Sequence, residues 1–178
     1  RELSIPQEAA VIGHVGRFTE AKNHRLLLDI FAEFHRLRPD SVLLLAGDGP
    51  LRPEIERQAD RLGLRDSLRF LGMRTDVPQL LSAMDLFLLP SRWEGLCVAA
   101  VEAQANGLPC ICSDKVTREV KLTDQLRFLP EASYTDPAAW CGVMEQALSA
   151  GRQDGRDAVR AGGYDIRRQA RRLESLYL

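Results

Sequence analysis

Short apolar runs rich in β-branched and aliphatic residues alternate along this chain with longer stretches whose apolar positions recur every three or four residues. The runs fall at residues 11–15, 42–46, 68–71, 86–89, 109–112 and, less sharply, 127–129. Several are apolar throughout instead of alternating, the pattern of strands covered on both faces of a parallel sheet. Between them Leu27, Ile30, Phe31 and Phe34 repeat at helical spacing, as do Leu51, Ile55, Ala59 and Leu62. Trp140, Val143, Met144, Ala147 and Leu148 mark another helix, and Ile166, Ala170, Leu173 and Tyr177 a last one. Strand, crossover helix and strand at spacings above a dozen residues read as right-handed βαβ units. The expected fold is therefore α/β, a doubly wound, Rossmann-like parallel sheet of about six strands. No repeat, low-complexity segment or Pro/Gly/Ser linker divides the chain, so residues 1–178 read as a single domain. The polar, Gly-rich stretch 151–163 reads as a loop or short helix before the final basic helix.

Composition narrows the class. With 45% hydrophobic and 28% charged side chains, 178 residues can bury a sizeable core. Disorder, a collagen-like repeat and a disulfide-stapled miniprotein are excluded. The 24 basic against 25 acidic residues leave a net charge of -1, which offers no bulk attraction for nucleic acid. The four cysteines lack metal-finger spacing. Cys110 and Cys112 would share a face of an extended strand yet stand too far apart to bridge, which points to reduced thiols and a cytoplasmic setting. No apolar run reaches the length of a bilayer span. The chain opens Arg1-Glu2-Leu3-Ser4 with neither initiator Met nor signal peptide, as expected of a fragment of a longer protein.

In an open parallel sheet, ligands bind beyond the carboxyl ends of the strands. The segments following the runs are Gly16-Arg17-Phe18-Thr19-Glu20-Ala21-Lys22-Asn23, Gly47-Asp48-Gly49-Pro50, Gly72-Met73-Arg74, Pro90-Ser91-Arg92-Trp93-Glu94-Gly95-Leu96 and Ser113-Asp114-Lys115. Glycine admits close approach of backbone to ligand, and a helix N-terminus supplies free N–H donors to an anion. Arg17 and Lys22, with a helix start at Gly95-Leu96, form a plausible diphosphate cradle. Glu94 would lie in a loop, and Glu102 about two turns into a helix beginning near Leu96, returning toward the same face. Paired carboxylates accept hydrogen bonds from a hydroxyl-rich ligand such as a ribose or hexose. Glu102 is also bracketed by Ala99, Ala100, Val101, Ala103 and Ala105, an apolar setting for a carboxylate.

Other chemistries lack their residues. Gly13-His14-Val15-Gly16 has no third glycine, and neither a phosphate-loop lysine motif nor an Asp-x-Asp pair occurs, so no metal is expected. His24 and His35 read as surface residues of helices, while His14 lies in or beside the first strand.

These segments together resemble the carboxyl-terminal half of a family-four retaining glycosyltransferase of GT-B architecture. The likeness is carried by Val15-Gly16-Arg17-Phe18 with Lys22, Leu45-Ala46-Gly47-Asp48-Gly49, Phe70-Leu71-Gly72, Asp85 through Ser91, Glu94-Gly95, Glu102-Ala103 and Gly107-Leu108-Pro109. The separation of Glu94 and Glu102 matches the family's paired-glutamate motif, and the branch resembles bacterial enzymes of capsule, exopolysaccharide or lipopolysaccharide assembly. The resemblance implies that Arg17 and Lys22 hold the diphosphate of a UDP- or GDP-linked sugar and neutralise the leaving group without a metal or other cofactor. Glu94 would contact the donor sugar, and the Gly95, Leu96 and Cys97 amides would meet sugar and phosphate. Glu102 would accept from the ribose, Gly72, Met73 and Arg74 would line the base pocket, and Gly16 would allow close approach. Cys97 and Val98 depart from the family's usual Gly and aliphatic pair.

By the same resemblance, a glycan or lipid-linked acceptor would bind through an amino-terminal domain absent here, so the fragment alone is expected to bind without transferring. Two alternatives are a non-catalytic nucleotide-binding module and a GT-B relative acting as a sugar-nucleotide epimerase. The basic last helix, with Arg167, Arg168, Arg171 and Arg172 opposite Ile166, Ala170 and Leu173, admits a peripheral contact with the inner face of the plasma membrane or packing on the missing domain.

Overall fold

The computed structural model describes residues 3–177; Arg1 and Glu2 of the opening segment, and Leu178, lie outside the described residues. All six apolar runs are strands, each displaced by at most one residue at either end: β1 (Ala10–Val15), β2 (Ser41–Ala46), β3 (Leu68–Gly72), β4 (Leu86–Leu89), β5 (Cys110–Ser113) and β6 (Leu126–Leu129). Between and after them lie α1 (His24–Leu37), α2 (Arg52–Arg61), α3 (Val77–Ser82), α4 (Val98–Ala105), α5 (Pro137–Ala150), α6 (Arg156–Ala161) and α7 (Ile166–Glu174).

The strands form one parallel sheet in the order β3-β2-β1-β4-β5-β6, with Val11 opposite Val42, Ile12 opposite Leu86, Phe87 opposite Cys110 and Cys110 opposite Leu126. The doubly wound, Rossmann-like expectation therefore holds. The order reverses direction between β1 and β4, and the loops leaving those two strands diverge there to open a crevice.

Successive residues of each strand face opposite layers, which explains why the runs are apolar throughout. Leu44, Phe87, Cys110 and Cys112 pack in one layer with Leu81 of α3, Val101 of α4 and Val159 of α6. Ile12, Leu43, Leu88 and Ile111 pack in the other with Phe31 of α1, Ile55 of α2 and Trp140 of α5. Each large apolar side chain so buried contributes about 1.5–3 kcal/mol. The cysteines are all buried and free, with Cys110 and Cys112 on the same face as the alternation required.

Three expectations are corrected. Leu62 is exposed, because α2 stops at Arg61 and Gly63 turns the chain at φ +69° before another turn can form. The helix expected near Leu96 starts at Val98, since Cys97 is extended at φ -85° and ψ 100°. The final helix does form, but none of its residues is buried, so Ile166 and Leu173 face outward. Among the described residues no helix is long and apolar enough to cross a membrane.

Candidate functional site

The loop leaving β1 is shaped by its glycine, a short 3-10 turn at Glu20–Lys22 and Asn23 in the left-handed region at φ +53°. Asn tolerates that conformation better than other side-chain-bearing residues. The turn swings Lys22 back across the crevice, where its Nζ lies 2.5 Å from Glu94 Oε2 and 3.7 Å from Cys97 Sγ. Glu94 is fixed by its backbone: its N–H donates to Lys115 O at 3.2 Å, and its carbonyl accepts from Thr117 N at 3.2 Å. Three of the expected residues thus meet at the point where the sheet reverses order.

Beside them is the start of α4. Cys97 occupies the cap position without a side-chain capping bond, and the N–H groups of Gly95, Leu96 and Cys97 donate to no acceptor among the described residues. An uncapped helix start with free donors, next to a lysine, is a seat for an anion.

A cavity of about 420 Å³ adjoins this point on the side of β1 to β3, and Gly16, Arg17, Gly47, Gly49, Met73 and Arg74 contribute to its walls. Gly47 adopts φ +136°, and a Cβ there would lie 2.1 Å from the Gly16 carbonyl oxygen, so only glycine lets the two loops approach so closely. Gly72, at φ +66°, lies outside the cavity wall but holds it by accepting from Gly47 N at 2.8 Å. The Arg17 side chain is exposed and makes no ion pair or hydrogen bond among the described residues. The Arg74 guanidinium is clamped by both Asp76 oxygens at 2.7 Å, which holds the Asp76 carboxyl below the usual carboxylate range. Gly16 links the two sets, because a Cβ on it would lie 3.1 Å from Lys22 Cε.

Glu102 stands elsewhere. The helix begins only at Val98, so half of the interval from Glu94 is loop and the two-turn relation does not apply. α4 buries Ala100, Val101, Ala103 and Gln104, leaving Glu102 exposed on the same side as Val98. Its apolar sequence neighbours face the core while it does not. The carboxylate has no protein partner among the described residues and is not in the cavity wall.

Beneath Lys22 lie two residues the sequence reading left out of the site. His14 is wholly buried, with Nδ1 2.8 Å from Leu88 O and Nε2 unpartnered. His24, expected at the surface, is buried with both ring nitrogens unpartnered, stacked on Phe18 at 4.0 Å and edge-on to His14 at 4.8 Å. Burial, opposed by the Leu88 hydrogen bond and assisted by the Lys22 charge, pushes His14 down to about 4. Burial, with His14 and Lys22 nearby, pushes His24 down to about 2. His24 shares a helical stripe with Leu27, Leu28 and Phe31, and extending that stripe by one turn would have revealed it. His35 is not free at the surface either, as its two ring nitrogens meet Ser41 Oγ and Ser67 Oγ at 2.9 and 3.0 Å.

Burial raises the Cys97 thiol, so beside Lys22 it remains a neutral packing group. Among the described residues no three His, Cys, Asp or Glu side chains converge as a metal site. The arrangement offers a glycine-walled cavity, two cations, free N–H donors and a carboxylate gathered at one sheet edge.

Known proteins share this framework. The family described as Glycosyl transferases group 1 matches residues 1–125. EpsF of Bacillus subtilis strain 168 is 37% identical over 177 residues, covering 97% of this chain and 46% of that protein. The UDP-Gal:alpha-D-GlcNAc-diphosphoundecaprenol alpha-1,3-galactosyltransferase of Escherichia coli is 39% identical over 116 residues, covering 63% of this chain and 30% of that one. The solved structure of Anabaena Alr3699/HepE in complex with UDP and glucose superposes with a TM-score of 0.81 at 22% identity, over 99% of this chain and 50% of that one. The chain thus spans less than half the length of these two curated relatives.

Proposed function

This chain belongs to the group 1 glycosyl transferases, and from that premise we propose that it is the donor-binding half of an enzyme that moves a sugar, with retention at the anomeric carbon, from a nucleoside diphosphate to a glycan or lipid-linked acceptor. The observation that carries the reading is the meeting of Lys22, Glu94 and the uncapped start of α4 beside a glycine-walled cavity with the unpaired Arg17 at its wall. Support also comes from the relatives: one is named for a UDP-sugar donor and a diphosphoundecaprenol-linked acceptor, and the superposing structure holds UDP and glucose. Polysaccharide or lipopolysaccharide assembly is the corresponding setting.

In this reading the base enters the cavity between Gly16 and Met73, with Arg74 at the side and Gly72 bracing Gly47 behind the wall. The diphosphate displaces Glu94 from Lys22 and gains Arg17 and the Gly95, Leu96 and Cys97 amides. Released from its ion pair, Glu94 accepts from the donor sugar, and Glu102 offers both unpaired oxygens to the ribose. Charge developing on the departing diphosphate is met by fixed cations and dipoles, which act most strongly once a second domain excludes water. With that wall open, Arg17 is screened by solvent, so this chain binds weakly and does not transfer.

Calorimetric titration with UDP, GDP and ADP, repeated on Arg17→Ala, tests the reading. One nucleotide is expected to bind and the variant to lose about tenfold or more in affinity. Failure of all three nucleotides at millimolar concentration overturns it. In the longer protein, consumption of an acceptor separates transfer from sugar-nucleotide epimerisation and from binding alone.

A further inference from the structure

A second cavity, of about 470 Å³, opens on the opposite layer of the sheet from the first, between the start of α1 and the loops leaving β4, β5 and β6. Its walls include Asn23, Arg92, Trp93, Lys115, Glu131 and Tyr134. Three of these are polar or aromatic groups that the fold leaves without a partner. Asn23 is only 8% exposed and sits at the cap position of α1, yet its side chain neither caps that helix nor makes any other hydrogen bond among the described residues. An asparagine at that position ordinarily bonds the first helical N–H groups; here its amide edges the cavity instead. Arg92 makes no ion pair or side-chain hydrogen bond among the described residues, and its backbone N–H is anchored to Ala21 O at 2.8 Å. Trp93 is 59% exposed, and its backbone is held between that anchor and the two backbone bonds of Glu94. At the far rim Lys115 and Glu131 pair at 2.7 Å.

An exposed aromatic face, an amide that both donates and accepts, and an unpaired guanidinium are the three groups that recognise a pyranose bearing an acid substituent. The ring stacks its C–H face on Trp93, hydroxyls pair with Asn23, and a carboxylate or phosphate pairs with Arg92. We propose that this cavity is a subsite for an anionic sugar of the acceptor. Its position supports that assignment: Asn23 follows Lys22 in the chain and Trp93 precedes Glu94, so the cavity neighbours the ion pair through residues that do not line the nucleotide cavity. Only the word acceptor rests on the donor reading above; sugar binding at Trp93 does not.

Tryptophan fluorescence tests the assignment directly, because Trp93 is exposed while Trp140 is fully buried. Iodide should quench Trp93, and glucose 1-phosphate or glucuronate should shield it saturably. Neutral glucose should shield it about tenfold less well, and Arg92→Ala should abolish that preference. Asn23→Ala should weaken all three sugars, and Trp93→Phe should remove the signal; thermal melts check that each variant folds. No shielding by any sugar, or equal shielding by inorganic phosphate, overturns the subsite. Shielding by UDP or GDP that competes with glucose 1-phosphate also overturns it, since the cavity would then belong to the donor. Nucleotide binding by calorimetry without sugar shielding removes this inference alone. Sugar shielding without nucleotide binding upholds the subsite and removes the donor reading.

Discussion

His14 and His24 form a buried pair with three unpartnered ring nitrogens under Lys22, and their pH response follows from burial. Both have folded values below the ordinary 6.5, near 4 and near 2. Below 6.5 the unfolded chain therefore binds protons that the folded chain refuses, so stability falls on acidification and is regained as pH rises. Each ring contributes up to about 1.4 kcal/mol per pH unit. The lowered carboxyls of Glu54 and Asp76 titrate beneath that window, and the Asp29 carboxyl, raised by burial, acts in the opposite sense, so the loss between about pH 6.5 and 5 comes from the histidines. Urea unfolding at about pH 7, 6 and 5 should show the loss, and His24→Phe, which keeps the stack on Phe18, should remove about half of the slope. An unchanged slope would mean the pair is charged or hydrated when folded. Gly47→Ala is a second test, costing about 2 kcal/mol or more through the clash with the Gly16 carbonyl and the positive φ. Of the cavity's lining residues, Gly16, Arg17, Met73 and Arg74 were legible because each follows a strand whose carboxyl end opens on the cavity. The exposure of Glu102 was not legible, because its apolar neighbours in sequence share its helix but not its face.

α4 shows how a helix is placed by contacts its own sequence does not announce. Its apolar residues surround it in the chain, so no face is marked, and its orientation comes from Gln104. That side chain is 1% exposed, donates to Val120 O at 2.8 Å and accepts from Leu122 N and Thr123 N at 3.0 Å. Gln104→Leu keeps the volume but leaves the buried Val120 carbonyl and two half-buried N–H groups without partners. A loss of about 2–4 kcal/mol is expected in chemical denaturation. A loss below about 0.5 kcal/mol would show that water replaces the amide. The strands contrast with this, because a run covered on both faces is apolar at every position and identifies itself. α3, six residues long with Pro78 in its first turn, was too short to leave a periodic signature.

The final helix closes the chain without joining the core. None of its residues is buried, and Ile166 is 81% exposed. Deleting residues 165–178 should accordingly shift the unfolding free energy by no more than about 0.5 kcal/mol. A larger loss in a thermal melt would mean that α7 docks on this half. The same truncation tests the membrane contact: at low salt the full chain should float with anionic vesicles and the truncated chain should not. Equal flotation, or none, excludes α7 as a membrane anchor. The exposed stripe is equally suited to the half of the protein that relatives possess and this chain does not span.

What this sequence determined by itself is the set of strands and the alternation of strand with crossover helix, since each depends on periodicity and short-range turn chemistry. The tertiary structure alone decided which loops meet. Lys22 and Glu94 are far apart in the chain and touch only because β1 and β4 are neighbours where the sheet reverses. It also decided which polar groups are sealed in, as with His24, and which are left open, as with Glu102 and Arg92. Burial is a property of what packs against a side chain from distant segments, and no local pattern encodes the far partner.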